Sequence, residues 1–174
     1  SSRAVVVDSV DEFEENLKEL KQGGFETVSF QDLLDYTNFR RLSLPDNPVI
    51  LTFDDSWQSH HTEVLPLLQK YDYSGTFFIN SGWIDSATDF MTWDQVRDLT
   101  HKGMEIGGHT VNHTELTDDL SIEELKAEII PDKQKIELEL GQSIKVFAYP
   151  YNAYSGKVIN VLKKSGYKAA RTVE

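Results

Sequence analysis

Short apolar segments alternate with capped helical segments along this chain, and that alternation constrains its fold more than any other feature. Helix N-termini are predicted where a Ser or Thr precedes an acidic or amide residue by three positions, at Ser9, Ser29, Thr92 and Ser121. Apolar residues at helical spacing predict two more helices, over residues 64–71 and 157–164. Strands are predicted where short apolar runs lie between helices, over residues 49–53, 76–79, 104–107, 145–149 and 167–172. Strands that alternate with helices favour a mostly parallel sheet.

Glycine and proline indicate where two of these helices end or change direction. The first helix is expected to end at Gly23-Gly24. The helix that begins after Ser121 extends to about Leu140 and contains Pro131. Because proline lacks a backbone N–H, Pro131 is expected to kink this helix or to split it in two.

The number of strands limits the fold class. An eightfold (β/α) barrel usually needs about 250 residues, whereas this chain has 174 and only about five predicted strands. We therefore expect an α/β fold in which residues 1–174 form one domain. It would be a reduced barrel, a barrel truncated at its C-terminus, or an open sheet. In each case the functional site lies at the C-terminal ends of the strands.

The composition excludes several classes of function. The formal net charge of −12 argues against nucleic acid or an anionic membrane as a partner, because their phosphates would be repelled. It is compatible with a neutral or cationic ligand. The absence of cysteine excludes disulfides, thiolate zinc sites and cysteine nucleophiles. No apolar stretch approaches the ~20 residues of a membrane-spanning helix.

Two adjacent carboxylates, Asp54 and Asp55, follow the apolar run of residues 49–53. Such a pair also occurs as a turn or as a helix N-cap. In an extended chain, neighbouring side chains point in opposite directions. One carboxylate of the pair can therefore bind a metal while the other faces a substrate.

Two histidines, His109 and His113, follow Gly107-Gly108 at the end of another predicted strand. Each alone could be a solvated loop residue, but a helical turn or a short loop would bring both to one side. One carboxylate and two neutral imidazoles are a common ligand set for a catalytic divalent metal with an open coordination position. The two motifs together therefore predict a metal site at the strand ends.

Aromatic residues mark a third strand end, where Tyr149, Pro150 and Tyr151 follow a predicted strand. This cluster is also compatible with a core strand that ends at a proline. As part of a site, it would offer the backbone N–H that follows Pro150 and an aromatic wall for a sugar ring. The tryptophans Trp57, Trp83 and Trp93 can also stack on sugars, although core packing is the expected use of at least two.

The remaining histidines have weaker signals. His60 and His61 begin a predicted helix soon after the Asp54-Asp55 pair, and they could line the same mouth. His101 lies at a predicted helix C-terminus, where the helix dipole favours a cation.

Three motifs together resemble the polysaccharide deacetylases of carbohydrate esterase family 4. The motifs are Thr52-Phe53-Asp54-Asp55, the segment from His109 to His113, and Tyr149-Pro150-Tyr151. The resemblance covers residues 11–172. It implies a distorted (β/α) barrel that removes N-acetyl groups from polymers of β-linked amino sugars. The third motif, FAYPY, is similar to that of the poly-β-1,6-N-acetylglucosamine deacetylase branch.

The resemblance also implies roles for individual residues. Asp54 matches the general base, and Asp55, His109 and His113 match the ligands of one divalent metal, which is expected to be zinc. Tyr151 matches the residue whose backbone N–H helps to hold the oxyanion. The residues expected to contact the substrate are Trp57, Tyr149 and Pro150.

Three features differ from the family pattern. Phe147 stands where the third motif often has an Arg that orients the catalytic Asp, and Ser56 stands where Gly is common. The later motifs, with a pocket Trp and a His that acts as general acid, have no match in this sequence. The general acid is therefore unassigned, and its candidates are His60, His61 and Asp54 itself.

The expected function is metal-dependent removal of N-acetyl groups from N-acetylglucosamine units of an extracellular or cell-wall polysaccharide. The expected partner is an amino-sugar polysaccharide or oligosaccharide, and the expected location is extracellular, at the cell surface or periplasmic. Two alternatives stay open. One is a glycan-binding module of the same fold that lacks the catalytic acid, and the other is a peptidoglycan or chitin deacetylase with a different linkage preference.

Overall fold

Seven strands form two parallel sheets in the computed structural model, which describes residues 9–172. The smaller sheet pairs β1 (Glu26–Thr27) with β2 (Pro48–Val49). The main sheet contains, in order, β3 (Thr52–Phe53), β4 (Thr76–Ile79), β5 (Glu105–Gly108), β6 (Val146–Ala148) and β7 (Ala169–Arg171). Since all five are parallel, their C-terminal ends lie at the same edge of the sheet.

Six α-helices lie in the described part of the chain: α1 (Val10–Gln22), α2 (Phe30–Thr37), α3 (Leu65–Lys70), α4 (Trp93–His101), α5 (Ile122–Leu140) and α6 (Gly156–Lys164). A π-helical turn, His60–Val64, leads directly into α3. The predicted helix caps are confirmed. Ser29, Thr92 and Ser121 form reciprocal capping boxes, and the Ser9 hydroxyl accepts a backbone N–H from the first turn of α1.

The prediction of one strand over residues 49–53 is wrong. Val49 pairs with Thr27 in the small sheet, whereas Thr52 pairs with Thr76 in the main sheet. The chain therefore passes from one sheet to the other within a single apolar run. Both halves of the run are apolar, and they differ only in the distant strand that each meets.

Of the two outcomes expected at Pro131, a kink or a split of α5, the split does not occur. The helix is continuous through the proline. Ile129 and Ile136, on either side of it, are fully buried in the main core. Their packing offsets the cost of a proline in a helix interior, about 3 kcal/mol.

The central strands of the main sheet, β4, β5 and β6, are buried on both faces. Phe77 belongs to the large core cluster that includes the helices. Phe78, the next residue, belongs to a second cluster with Val146 and Ala148, against which Phe30 of α2 packs. We call the face that carries Phe78, Val146 and Ala148 the inner face. Burial on both faces accounts for strands that are almost continuously apolar.

The carboxylate of Glu105 holds α2 against the N-terminal end of the main sheet. It accepts the backbone N–H groups of Phe30 and Gln31, each at 2.9 Å, and the hydroxyl of Thr76 at 2.7 Å. An anion is favourable at a helix N-terminus because of the helix dipole. This contact fixes α2 at the end of the sheet opposite to the strand C-termini.

The main sheet is curled, so that its two edge strands approach each other at their C-terminal ends. Arg171, at the end of β7, donates a hydrogen bond to Asp54, which directly follows β3. The expected α/β fold with a reduced, distorted barrel is thus confirmed. Among residues 9–172, no helix has both the length and the apolar character that crossing a membrane requires.

We expect Glu105→Ala to lower the free energy of unfolding by about 1–3 kcal/mol, because it leaves three partly buried donors without their acceptor. Urea unfolding of the two proteins measures the difference. Glu123→Ala is the matched control, since Glu123 is exposed and its ion pair with Lys126 is at the surface; its effect should stay within about 0.5 kcal/mol. Equal stability of the two variants would show that Glu105 does not hold α2 in place.

Candidate functional site

Three loops meet at the C-terminal edge of the main sheet, after β3, β5 and β6. The first carries Asp54 and Asp55, the second His109 and His113, and the third Tyr151. The segment from His109 to His113 is a loop, so of the two geometries expected for the histidine pair, the short loop is the one observed. The structure therefore brings together the residues of all three sequence motifs.

Asp55, His109 and His113 converge on a common point. Their potential ligand atoms all lie within 4.8 Å of one another. Oδ1 of Asp55 is 3.1 Å from Nε2 of His113 and 3.4 Å from Nε2 of His109. A carboxylate oxygen and two imidazole nitrogens at such spacing can hold one metal ion.

The hydrogen bonding of His109 favours a cation at this point. Its Nδ1 lies 2.8 Å from the carbonyl oxygen of Ala148, which can only accept, so Nδ1 carries the proton. In the neutral ring, Nε2 then directs a lone pair towards Asp55. Oδ1 of Asp55 is itself buried and has no hydrogen-bond partner among the described residues. Two acceptors facing each other repel unless a cation lies between them, so the donor set fits a metal ion.

The pKa values of two of these groups are shifted towards the forms that bind metal. A hydrogen bond donated by Nε2 of a protonated His109 holds the pKa of Asp55 below its ordinary value, although burial opposes this, and a cation between the two atoms would act in the same direction. Burial, followed by the proximity of His109, lowers the pKa of His113. A carboxylate and a neutral imidazole are the ligand forms that a divalent cation requires.

Backbone strain is concentrated in the same loops. The residues there with positive φ that are not glycine are Asp55, Ser56, Thr110, His113, Tyr151 and Asn152, with φ between 54° and 77°. Such conformations are uncommon for residues with a side chain and are often found at functional sites. The strain indicates that the surrounding contacts hold these loops in place.

Ser56 shows how one such residue is held. The φ of Ser56, 63°, lies in the region that favours glycine. This gives a physical reason why glycine is common at this position in the family that the chain resembles. The Ser56 side chain is fully buried, and its hydroxyl accepts the backbone N–H of Asn80 at 2.8 Å. The Asn80 side chain in turn donates to the carbonyl oxygens of His109 and Thr110. The serine thus links the aspartate loop to the histidine loop.

Asp132 of α5 supports the histidine loop from behind. It is fully buried, and its two oxygens accept the backbone N–H groups of Ser81 at 2.9 Å and His109 at 3.2 Å. Burial raises the pKa of Asp132 to about 7, while the Ser81 and His109 donors oppose the rise. Space here is tight, since a Cβ at Gly108 would lie 2.2 Å from the Tyr167 hydroxyl oxygen. Only glycine fits this strand end without displacing its neighbours.

Asp54 is not one of the three converging candidate ligands, and it pairs instead with a residue of another strand. Its Oδ2 accepts a hydrogen bond from Arg171, while Oδ1 is buried and has no hydrogen-bond partner among the described residues. The two adjacent carboxylates thus make different contacts, as expected from the sequence. The positive φ of Asp55 shows that a local turn, and not an extended strand, separates them.

A row of aromatic rings leads from the surface to His113. Trp57 stacks on Phe90 with centroids 5.1 Å apart, Phe90 contacts Trp83 at 4.9 Å, and Trp83 contacts His113 at 5.3 Å. On the other side, Tyr151 packs edge-on against His113 at 4.6 Å. Trp57 and Tyr151 are exposed. The row therefore connects an accessible aromatic surface with a candidate metal ligand.

The other aromatic positions differ in their exposure. Tyr149 and Pro150 are buried, and Tyr149 packs on the half-exposed ring of Tyr154 at 5.3 Å. Trp93 is buried in the core, whereas Trp83 is partly buried and Trp57 is exposed, so the expectation that at least two of the three tryptophans pack in the core is wrong. Tyr149 and Pro150 thus support the loop after β6 from its buried side, and only the exposed residues of this loop can contact a large ligand directly.

The two histidines after the aspartate loop have separate environments. His60 is buried between Phe53 and Phe77, with ring centroids 5.9 and 5.8 Å away. Burial lowers its pKa to about 4, despite the opposing charges of Asp54 and Asp55. His61 instead lies 2.9 Å from the carboxylate of Asp98 in α4.

Sequence reasoning missed Arg171 and Asp132. Arg171 is a charged residue at the C-terminal end of a predicted strand, the same signal that identified the other motifs. Asp132 lies on the buried stripe of α5 with Leu125, Ile129 and Ile136, where an acidic residue is unexpected. Both signals are present in the sequence, but neither indicates which distant residue the side chain contacts.

The comparisons with known proteins agree with this geometry. The polysaccharide deacetylase family model matches residues 41–170, and the chain belongs to that family. The resemblance read from the three motifs is therefore confirmed. The match includes every strand-end loop described above.

The individual relatives have low sequence identity to this chain. YxkH of Bacillus subtilis strain 168 is 26% identical over 164 residues, which cover 94% of this chain and 57% of that protein. The poly-β-1,6-N-acetyl-D-glucosamine N-deacetylase of Escherichia coli K12 is 28% identical over 196 aligned residues, covering 89% of this chain and 29% of that protein. The chain thus spans less than two thirds of the length of these relatives.

A solved structure with a similarly low sequence identity supports the fold. The deacetylase PplD of Streptococcus pyogenes, in complex with acetate, superposes with a TM-score of 0.84 at 26% identity. The superposition covers 95% of this chain and 73% of PplD.

We expect His113→Ala to abolish high-affinity zinc binding, because it removes one of three protein ligands. Elemental analysis of protein prepared without a polyhistidine tag should find about one equivalent of metal in the unaltered protein and little in the variant. His101→Ala is the matched control, since His101 is exposed at the end of α4 and should leave the metal content unchanged. Equal metal in the two variants would refute the assignment of His113 as a ligand.

Proposed function

We propose that this chain is a metal-dependent N-deacetylase that acts on N-acetylglucosamine units of a polysaccharide. The observation that carries the proposal is the convergence of Asp55, His109 and His113 beside a second carboxylate, Asp54, at the open end of a half-barrel. The membership of the polysaccharide deacetylase family supports the class of reaction.

The metal site would be formed by Oδ1 of Asp55 and Nε2 of His109 and His113. A divalent cation at this point, with zinc as the expected ion, would supply Lewis acidity to the acetyl carbonyl and to a water molecule. The Ala148 carbonyl fixes the ring of His109 through Nδ1, so that Nε2 faces the ion.

Asp54 is the base in this proposal. Its Oδ1, which has no hydrogen-bond partner among the described residues, would take a proton from the attacking water. The water oxygen bonds to the acetyl carbon, and the carbonyl oxygen becomes an oxyanion. The backbone N–H of Tyr151, which follows Pro150 at the strand end, would donate to that oxyanion. The carbon–nitrogen bond then breaks to give acetate and a sugar amine.

The departing amine needs a proton, and Asp54 is the best candidate to return the one that it took. His60 does not suit this task, since a group with a pKa of about 4 carries almost no proton at neutral pH. His61 is held against Asp98 of α4. A single carboxylate that acts first as base and then as acid balances the protons of the reaction.

Substrate contacts would come from the rim of the site. Trp57 offers an exposed ring face, and Tyr151 an exposed ring beside His113. Tyr149 and Pro150 would act mainly by holding Tyr151 in its conformation. A polymeric amino sugar is the expected substrate, and an extracellular, cell-surface or periplasmic location follows from acting on such a polymer. The relative named for poly-β-1,6-N-acetyl-D-glucosamine makes that polymer the first to test.

A second candidate function is a glycan-binding module without turnover. It is favoured by one observation, that His60 carries almost no proton at neutral pH and His61 is paired with Asp98 of α4 and not with a residue of the site. Binding of N-acetylglucosamine oligomers without acetate release, in protein loaded with zinc, would identify this function.

We expect Asp54→Asn to lower acetate release from N-acetylglucosamine oligomers by about 10²–10⁴-fold, the usual contribution of a general base. The amide is nearly the same size as the carboxylate but cannot accept the proton. Zinc content should stay unchanged, because Asp54 is not among the proposed ligands. If the variant instead loses its metal and regains activity when metal is added, the roles of Asp54 and Asp55 are exchanged.

We expect Trp57→Ala to raise KM for oligomers while kcat changes little. The loss of one stacking contact should raise KM by up to about tenfold. Steady-state kinetics on oligomers of increasing length separates the two constants. Phe39→Ala is the control, since Phe39 is 94% exposed at the end of α2. An equal KM for the two variants would remove Trp57 from the substrate-binding residues.

A further inference from the structure

The contact between Arg171 and Asp54 joins the two edges of the main sheet. Arg171 ends β7, and Asp54 follows β3, which lies at the opposite edge. Both side chains are largely shielded from solvent, at 19% and 28% exposure. An ion pair shielded to this extent is screened less by salt than one at the surface.

Arg171 is held from below by the inner face of the sheet. Its guanidinium lies 5.6 Å from the ring centroid of Phe78, a distance at which a cation and an aromatic face attract each other. In the strand register, Arg171 stands beside Ala148, which is small and lies on the same face. Because Ala148 is small, the Arg171 side chain has room to extend across the gap between the edge strands β7 and β3.

Phe147 cannot make this contact. It is fully buried on the opposite face from Ala148, where its ring packs against Tyr149 and Tyr167 at 5.6 and 5.2 Å. The arginine that orients the aspartate in the family pattern is thus absent from this position. The guanidinium that reaches Asp54 comes from the next strand.

The contact with Arg171 gives the two carboxylate oxygens of Asp54 different environments. Oδ2 is taken by Arg171, whereas Oδ1 is left without a hydrogen-bond partner among the described residues. A guanidinium remains charged and fixes the plane of a carboxylate more firmly than an ammonium does. A carboxylate held in this way presents one oxygen in a constant direction.

We propose that Arg171 is the positioning residue for Asp54, supplied by the last strand of the sheet in place of an arginine in the third motif. The proposal rests on the proposed function, because it assigns Asp54 to proton transfer. Arg171 acts through Asp54, and among residues 9–172 no side-chain hydrogen bond or ion pair joins it to the three proposed metal ligands.

The test compares acetate release by Arg171→Gln and Arg171→Lys with that of the unaltered protein, all loaded with zinc. We expect Arg171→Gln to lower kcat by about 10²-fold, the scale of a misplaced catalytic group, with KM and zinc content unchanged. Arg171→Lys should recover part of the loss, because it keeps the charge but not the planar geometry. Arg97→Gln is the matched control, since Arg97 pairs with Asp94 and Glu139 on the helices and should leave kcat unchanged.

Two further measurements separate positioning from a structural role. Millimolar guanidinium should restore part of the activity of Arg171→Ala, but not that of Asp54→Asn. In the Asp54→Asn background, Arg171→Gln should have no further effect on kcat, because its target is already absent. A general loss of folding would be neither rescued by guanidinium nor masked by Asp54→Asn.

The outcomes are distinct. If the unaltered protein is active and Arg171→Gln keeps its kcat, the proposal is overturned and the proposed function stands. Additive losses in the double variant, or loss of zinc in Arg171→Gln, would overturn it equally. If the unaltered, zinc-loaded protein releases no acetate, the proposed function fails, and the inference about Arg171 fails with it.

Discussion

The carboxylate of Asp132 is the interaction on which the candidate metal centre depends. It ties α5 to the ends of two neighbouring strands through the backbone N–H groups of Ser81 and His109. Burying a carboxylate is expensive unless donors compensate for the lost water. Here two donors compensate in part, since burial still raises the pKa of Asp132 to about 7. One of these donors belongs to the residue whose ring must face Asp55. The position of His109 is thus set through its backbone by Asp132 and through its ring by the carbonyl of Ala148.

The two ends of the main sheet have different tasks. At the N-terminal end, Glu105 binds the first turn of α2, and Phe30 packs on the inner face. At the C-terminal end, the loops after β3, β5 and β6 carry the candidate site, and Arg171 spans the gap between the edge strands. A curled sheet with one covered end and one open end gives a large substrate access from a single direction. This division agrees with the placing of sites at strand C-termini in barrels and open α/β sheets.

The open end is also where the backbone is least relaxed. Asp55, Ser56, Thr110 and His113 all have positive φ, at a cost of order 1–3 kcal/mol each. Hydrogen bonds within and between the loops offset that cost. Ser56 accepts the N–H of Asn80 after β4, and the Thr110 hydroxyl accepts the N–H of Thr114. The folded structure thus holds the candidate ligands in a backbone conformation that an isolated loop would not adopt.

The sequence by itself determined the alternation of elements, the helix caps and the residues of the three motifs. These signals are local, because a cap joins residues three positions apart and a strand end is marked by the residues beside it. The split of residues 49–53 between two sheets, the burial of His60 and the roles open to Asp54 were decided only by the tertiary structure. Arg171 meets Asp54 across a separation of 117 residues, and Asp132 meets His109 across 23. No local pattern specifies such partners, since they are set by how the sheet curls and where α5 packs.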